Sequence, residues 1–423
     1  MAQLSSDSFA FGGALRRLDD ALNDLTARLP VVADAETVRL EEALGRVLAE
    51  TCCSPARVPN FDNSAVDGYA VRASDLAAGG VTRLPVGTRI PAGMLAVPPL
   101  KIGEAARIFT GAMMPDGADT VFMQEDVTAE KGDVLLPSGL KAGSNRRFAG
   151  EDFALGAPVV LAGTRLKPQH IAGLAAAGFS PVMVRKPLRV ALFSTGDEIR
   201  DRASLNDATD LPKGCQFDSN RPMLRALLAM RGIAVRDLGV LPDDRAIITR
   251  ALADAAQDCD AILTSGGVST GEEDHVKAAV EAAGRLDFWR LAIKPGRPIA
   301  MGTINQVPLL GMPGNPAAVF ITFTRFVGPV LDMLAGAKPL RPRAFVVQSG
   351  FDYKKKADRR EYVRVFFEQD ASGVLTAQRF PKDGAALISS LIAADALVEL
   401  EEERISVKAG DMINVLPINA LLS

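Results

Sequence analysis

Residues 260–275 read Asp-Ala-Ile-Leu-Thr-Ser-Gly-Gly-Val-Ser-Thr-Gly-Glu-Glu-Asp-His, and they constrain the fold more than any other stretch. A short apolar run, Ala261 to Leu263, stops at Thr264-Ser265 and breaks into Gly266-Gly267. Gly271, three acids and a helical pattern from Val276 follow. Strand, glycine loop and helix start, in that order, predict a βα unit whose loop turns backbone N–H groups outward as an oxyanion cradle. Glu272, Glu273 and Asp274 would repel a phosphate unless a divalent cation sat between them. The segment points to a metal-assisted phosphate or nucleotide site.

The same alternation runs on either side. Strands are predicted over 188–193, 233–238, 261–264, 288–293, 298–301 and 309–310. Helices are predicted from Asp218-Ser-Asn to Arg231, from Asp243-Asp244 to Gln257, over 276–283, and from Asn315-Pro316 to Leu334. Repeated βα units predict a doubly wound, mostly parallel sheet with helices on both faces. Residues 199–214, rich in charge, read as an exposed loop of that domain.

The flanks differ. The first fifty residues predict helix, with Leu15, Leu18, Leu22, Leu25 and Leu29 on one stripe at three- and four-residue steps. A turn-rich segment, 54–68, leads into short β-type runs to about residue 136, and a helix is predicted from Pro168 to Gly178. After Pro339 β-type runs return at 345–347, 362–367, 396–400 and 412–415, predicting a small barrel-like β-domain. The fold class is therefore α/β and multidomain, as 423 residues require.

Composition narrows the chemistry. A net charge of −3 gives no basic field for nucleic acid. No apolar run is expected to reach the ~18 residues that span a bilayer; the most apolar stretch, 171–184, is broken by Gly173, Gly178 and Pro181. Without a secretory pattern at the N-terminus, a cytoplasmic enzyme is expected. Cys52, Cys53, Cys215 and Cys259 lack metal spacing and read as reduced thiols. His170 and His275 are the two histidines, which excludes a multi-histidine metal site and argues against a serine-hydrolase triad. Carboxylates, lysine and arginine must carry the chemistry.

Ligands of doubly wound sheets bind at the carboxyl ends of the strands. Four loops are predicted there: Ser194-Thr-Gly-Asp-Glu198, the opening loop, Lys294-Pro-Gly-Arg-Pro298 and Gly311-Met-Pro-Gly-Asn-Pro316. In the predicted strand 288–294, alternation puts Trp289, Leu291 and Ile293 on one face, and Arg290 and Lys294 on the other, ~13 Å apart at 3.3 Å per residue. Hydroxyls, backbone N–H groups, carboxylates and cations around one crevice predict a nucleotide or pyrophosphate site with Mg2+. Outside this domain, Phe61-Asp-Asn-Ser-Ala-Val-Asp-Gly-Tyr69 reads as a turn with Asx caps. Asn145-Arg-Arg-Phe-Ala-Gly-Glu-Asp152 reads as either an ion-pair network or a second anion site.

In combination and order, these segments resemble the molybdopterin molybdenumtransferase family. The residues that carry the resemblance are 61–69, Phe109-Thr-Gly-Ala, Arg147 with Gly150-Glu-Asp152, 194–198, Asp218-Ser-Asn-Arg221, Asp243-Asp244, 264–274, 288–298 and 312–316. The resemblance implies four parts: an N-terminal dimerisation domain of 1–53 and 153–187, an inserted β-rich lobe of 54–152, an α/β domain of 188–338 similar to the molybdopterin adenylyltransferase domain, and a C-terminal β-domain of 339–423. It implies a cytoplasmic homodimer with an active site shared between subunits. The implied reaction is Mg2+-dependent insertion of molybdate into adenylylated molybdopterin, with release of AMP. Transient contact with the upstream adenylyltransferase and with molybdoenzymes is implied as well.

Carried over position by position, Asp67, Glu198, Asp274 and Lys294 would be catalytic, with Asp274 and Glu198 nearest Mg2+. Substrate would be bound by Thr110, Arg147, Asp152, Ser194, Thr195, Gly196, Asp243, Ser265, Gly266, Gly267, Ser269, Arg290, Arg297, Pro313, Gly314 and Asn315. Arg290 and Arg297 stand where the family usually has lysine, which keeps charge but changes donor geometry. His275 and Met312 depart as well, from an aromatic and a leucine. Two rivals stand beside this reading: an adenylyltransferase-like nucleotide enzyme, and a non-catalytic molybdopterin-binding scaffold.

Overall fold

The computed structural model describes residues 15–267, 275–338, 341–369, 371 and 373–422. The chain divides into two compact units, one of residues 37–44 and 50–183, the other of 1–36, 45–49 and 184–423. Each is described by itself.

The smaller unit is built on a six-stranded sheet. Its strands are β1 (Gly68–Val71), β2 (Val81–Ile90), β3 (Ala105–Ile108), β4 (Thr120–Met123), β5 (Thr128–Glu130) and β6 (Asp133–Pro137), in the order β4-β1-β3-β2-β6-β5. Alternation sends Ala70, Ile90, Ile108 and Val121 into one buried cluster, and Val71, Leu84, Phe122 and Val134 into another. The helix Pro168–Ala176 starts on its proline as predicted.

In the larger unit the predicted βα alternation is present. The strands are β7 (Arg189–Thr195), β8 (Ala234–Leu241), β9 (Ala261–Ser265), β10 (Gly284–Arg290), β11 (Ile293–Lys294), β12 (Pro298–Ile304) and β13 (Val307–Met312). All except β11 form one sheet in the order β8-β7-β9-β13-β12-β10. The first four strands are parallel, whereas β12 is antiparallel to both neighbours, so the sheet is mixed at that side. Residues Val190–Phe193 are all fully buried because helices cover both faces. Val190 and Leu192 meet Leu224, Leu228, Val319 and Phe323 on one side. Ala191 and Phe193 meet Ile248, Leu252, Val276 and Val280 on the other. Each such side chain contributes about 1.5–3 kcal/mol by leaving water.

The helix Pro316–Leu334 is long and apolar enough to cross a membrane, with a mean hydropathy of 1.5, but 89% of it is buried inside the protein. Its apolar side chains belong to the core. It contains one π-helical stretch, Phe323–Val327, between two α-helical ones.

Two expectations are corrected. The N-terminal helix is confined to Leu18–Arg28, and a strand, Ala35–Arg39, follows. Pro30 pushes Leu29 to an extended conformation, φ −80° and ψ 124°, which ends the helix. The predicted strand over 288–293 is two strands in two sheets. β10 ends at Arg290, and β11 pairs in parallel with β15 (Arg360–Gln369) of the C-terminal domain. Arg290 and Lys294 therefore do not share a strand face. Leu291 and Ile293 are buried, and the Trp289 side chain lies outside the described residues.

The C-terminal domain joins β15 to β14 (Phe345–Ser349), β16 (Leu375–Arg379), β17 (Ala396–Leu400) and β18 (Met412–Pro417). Pairing runs β15-β16-β14-β18-β17 and returns from β17 to β15, closing a five-stranded barrel as expected. Closure leaves no free edge on these strands, and Val365, Ala377, Val398 and Val415 fill the interior.

Candidate active site

β7, β9, β10 and β13 all end at one edge of the sheet, which gathers three of the predicted loops and Arg290 there. Ser194 and Ser265 are register partners at that edge. Thr195 Oγ1 donates to Asp243 Oδ1, and the Asp197 amide donates to Asp243 Oδ2 at 3.2 Å. Asp243 thus ties down the 194–198 loop, while the Glu198 carboxylate folds back over Gly196.

The glycine loop is forced by contact. Gly266 has φ +91°, and a Cβ there would lie 2.8 Å from the Thr195 carbonyl oxygen. Only a residue without Cβ accepts both the conformation and the approach. Its amide donates to Met312 O at 3.1 Å, which links the β9 and β13 loops. Asn220, at the start of the helix Asn220–Met230, completes the link. Its Nδ2 donates to Ser265 Oγ at 2.9 Å and to Gly314 O at 2.7 Å. Ser265 Oγ also donates to Pro313 O at 3.3 Å. The buried Ser194 Oγ, Thr264 Oγ1 and Asn220 Oδ1 have no partner among the described residues.

The structure thus brings together Ser194, Thr195, Gly196, Asp243, Ser265, Gly266, Gly267, Pro313 and Gly314. Ser269 and Asp274 lie outside the described residues, as do Glu272 and Glu273. Among the described residues no group of three or more His, Cys, Asp and Glu could hold a metal. Asp243 is taken up by Thr195 and Asp197, which leaves Glu198 as the described carboxylate over the glycine loop. The described residues do not by themselves fit a Mg2+ ion.

Lys294 and Arg297 face a different feature. With Pro313 and Asn315 they line a cleft of about 770 Å3 whose opposite wall is the C-terminal domain. The lining carries seven cations, Lys294, Arg297, Lys356, Arg359, Arg364, Arg379 and Lys382, against the carboxylates Glu361 and Asp383. Arg364 Nε and Nη1 are buried without a hydrogen-bond partner among the described residues, and burial disfavours its charged form. Such unmet donors beside a cationic surplus suit an oxyanion. The sequence reading missed the five barrel cations. Their signal is the spacing of Arg359, Glu361 and Arg364 within a β-type run, which becomes informative only once β11 is known to pair there.

The 37–44 and 50–183 unit holds the remaining predicted residues. Asp67 Oδ1 accepts from the Thr110 amide and hydroxyl, both at 2.8 Å, and these bonds hold its carboxyl below the usual aspartate range. Asp62 accepts from Arg146 Nε at 2.9 Å and from the Ala149 amide at 2.7 Å. Arg147 Nε lies 2.6 Å from Glu151. Of the two readings of 145–152, ion pairs are what the segment displays. The Asp152 amide donates to Val58 O at 3.0 Å, and its side chain is exposed.

Fold and site together define a multidomain α/β protein with a glycine-lined sheet edge and an adjoining cleft rich in cations. Comparison with known proteins makes this specific. Residues 16–178 match the MoeA N-terminal region (domain I and II), 191–333 the "Probable molybdopterin binding domain", and 346–418 the MoeA C-terminal region (domain IV). The molybdopterin molybdenumtransferase of Haemophilus influenzae is 37% identical, over 96% of this chain and 99% of its own. That of a Nostoc species is 34% identical over 96% and 89%. The crystal structure of the molybdopterin biosynthesis MoeA protein from Pyrococcus horikoshii OT3 superposes with a TM-score of 0.79 at 31% identity, covering 96% of this chain and all of that one. The chain belongs to the molybdopterin molybdenumtransferase family, and with it to the transferases of molybdenum cofactor biosynthesis.

Proposed function

We propose that this enzyme transfers molybdenum from molybdate to adenylylated molybdopterin, cleaving the pyrophosphate link and releasing AMP. The observation that carries the reading is the cationic cleft beside the glycine-lined sheet edge, with Arg364 holding unpartnered donors in its wall. Molybdate, pyrophosphate and the phosphate of AMP are all oxyanions, and fixed cations offset the charge that grows on a phosphate as its bridging bond breaks.

Ser194, Thr195, Gly196, Ser265, Gly266, Gly267 and Ser269 form the wall that receives the pterin phosphate, with the Ser194 hydroxyl as its uncommitted buried donor among the described residues. Pro313, Gly314 and Asn315 supply the loop between that edge and the cleft, held by Asn220, while Asp243 fixes the 194–198 loop. Lys294 holds the reacting oxyanion, with Arg290 and Arg297 adding charge. Mg2+ dependence rests on Glu198 together with Asp274. The four-part division at residues 54, 153, 188 and 339 belongs to the same proposal. So do a cytoplasmic homodimer in which Asp67, Thr110, Arg147 and Asp152 of one protomer serve the α/β domain of its partner, and transient contacts with the upstream adenylyltransferase and with molybdoenzymes.

The test is cofactor formation. The pure protein, given adenylylated molybdopterin, molybdate and Mg2+, is expected to yield material that activates an apo-molybdoenzyme. Activation that is the same without the protein or without molybdate refutes the reading.

A further inference from the structure

We propose that Glu361 and Tyr353, both from the C-terminal domain, are positioning residues that aim the Lys294 ammonium into the cationic cleft. The proposal rests on the reading of Lys294 as the oxyanion ligand.

A free lysine side chain samples many rotamers, and that entropy is lost on fixing it. Lys294 is fixed in advance. Its backbone is the register partner of Glu361 in the β11–β15 pair. Its Nζ lies 3.1 Å from Glu361 Oε2 and 3.5 Å from the Tyr353 hydroxyl oxygen. The Tyr353 hydroxyl donates to the same Oε2 at 2.7 Å, and the Tyr353 ring centroid lies 6.0 Å from Nζ.

The carboxylate is the fixed point of this arrangement. Glu361 is 1% exposed, and its Oε1 accepts from Arg359 Nε at 2.6 Å with Nη2 at 2.5 Å. Held at both oxygens, it cannot turn to follow the half-exposed lysine, so the lysine settles on it. Burial and the neighbouring carboxylate push the Tyr353 hydroxyl up, which keeps it protonated and donating. One carboxylate between Lys294 and Arg359 leaves a positive charge in surplus. Of the three ammonium donors, Glu361 and Tyr353 occupy two, and the third is left for the cleft.

Simple charge and positioning predict opposite signs. Replacing Glu361 by glutamine removes a negative charge from a site for anions, so charge alone makes binding tighter. Positioning makes it weaker. The experiment is calorimetric titration of the full chain with inorganic molybdate, for the native protein, Glu361→Gln, Tyr353→Phe and Lys294→Met. The expected result is about tenfold weaker binding for E361Q and K294M and roughly threefold for Y353F, from the loss of charge-assisted hydrogen bonds. For E361Q and Y353F the molybdate KM should rise in proportion while kcat changes little. E361Q that folds and binds molybdate as tightly as the native protein, or more tightly, overturns the proposal. If E361Q does not fold, unchanged affinity in Y353F overturns it. Unchanged affinity in K294M refutes instead the reading of Lys294 itself.

Discussion

The Asn220 side-chain amide lies 2.9 Å from Ser265 Oγ, and the same nitrogen reaches Gly314 O at 2.7 Å. One buried side chain thereby joins two loops that the chain separates by almost fifty residues. Asn220→Ala removes both bonds and deprives the buried Ser265 Oγ of its donor, at about 1–3 kcal/mol. Urea unfolding should show that loss. kcat/KM should fall further than stability at assay temperature explains, because the glycine loop and the Pro313-Gly314 turn lose their common anchor.

Asp67 and Thr110 give a prediction about pH. Two hydrogen bonds from Thr110 hold the Asp67 carboxyl below the ordinary aspartate value of 3.8. A carboxyl depressed on folding contributes stability that is fully present above its unfolded pKa and is lost as pH falls through the lower folded value. Asp67 should therefore stay ionised through the whole neutral and mildly acid range, and its stabilising effect should fade only below about pH 3.8. Thr110→Val keeps the amide bond and removes the hydroxyl one. A carbon-detected NMR titration should place the Asp67 carboxyl of this variant higher than in the native protein, and an unmoved titration would contradict the assignment.

Arg221 holds the 199–214 connector. Its guanidinium is 7% exposed and bonds Asp237 Oδ2 at 2.6 Å, Asp218 Oδ2 at 3.2 Å and Asp201. Arg221→Ala leaves Asp218, itself 4% exposed, buried without its cation, and breaking such a pair costs about 3–5 kcal/mol. Limited proteolysis should cut the variant near 199–214 well before the native chain, and thermal unfolding should be markedly lower.

Gly266→Ala tests the glycine loop. The new Cβ would sit 2.8 Å from the Thr195 carbonyl oxygen at a φ of +91°, so one of the two strand ends must move. Positive φ costs a residue with a side chain about 1–2 kcal/mol before any clash. Substrate affinity should fall at least tenfold while far-ultraviolet circular dichroism stays native.

Much of this arrangement was legible in the sequence. The βα rhythm from β7 to β13 follows from apolar runs that stop at Ser194-Thr195, Ser265-Gly266 and Met312-Pro313, since a strand buried on both faces cannot hide its end. The break after Arg290 was not legible. Leu291, Ala292 and Ile293 continue the apolar pattern of β10, yet they lead the chain out of one sheet and into pairing with β15. That choice is set by a partner strand almost seventy residues later. The basic cleft was hidden for the same reason, because its far wall is named only by long-range pairing. Asn220 lay within a motif that was singled out, but a bridge to Gly314 has no local signature.

The central claim is that this chain couples molybdate to breakage of the pyrophosphate link. The most direct measurement is AMP released from adenylylated molybdopterin by the pure protein with Mg2+, with and without molybdate, beside Lys294→Met. The account predicts AMP release that depends on molybdate and is lowered at least tenfold in the variant. Tight binding of adenylylated molybdopterin with no molybdate-dependent AMP would contradict it.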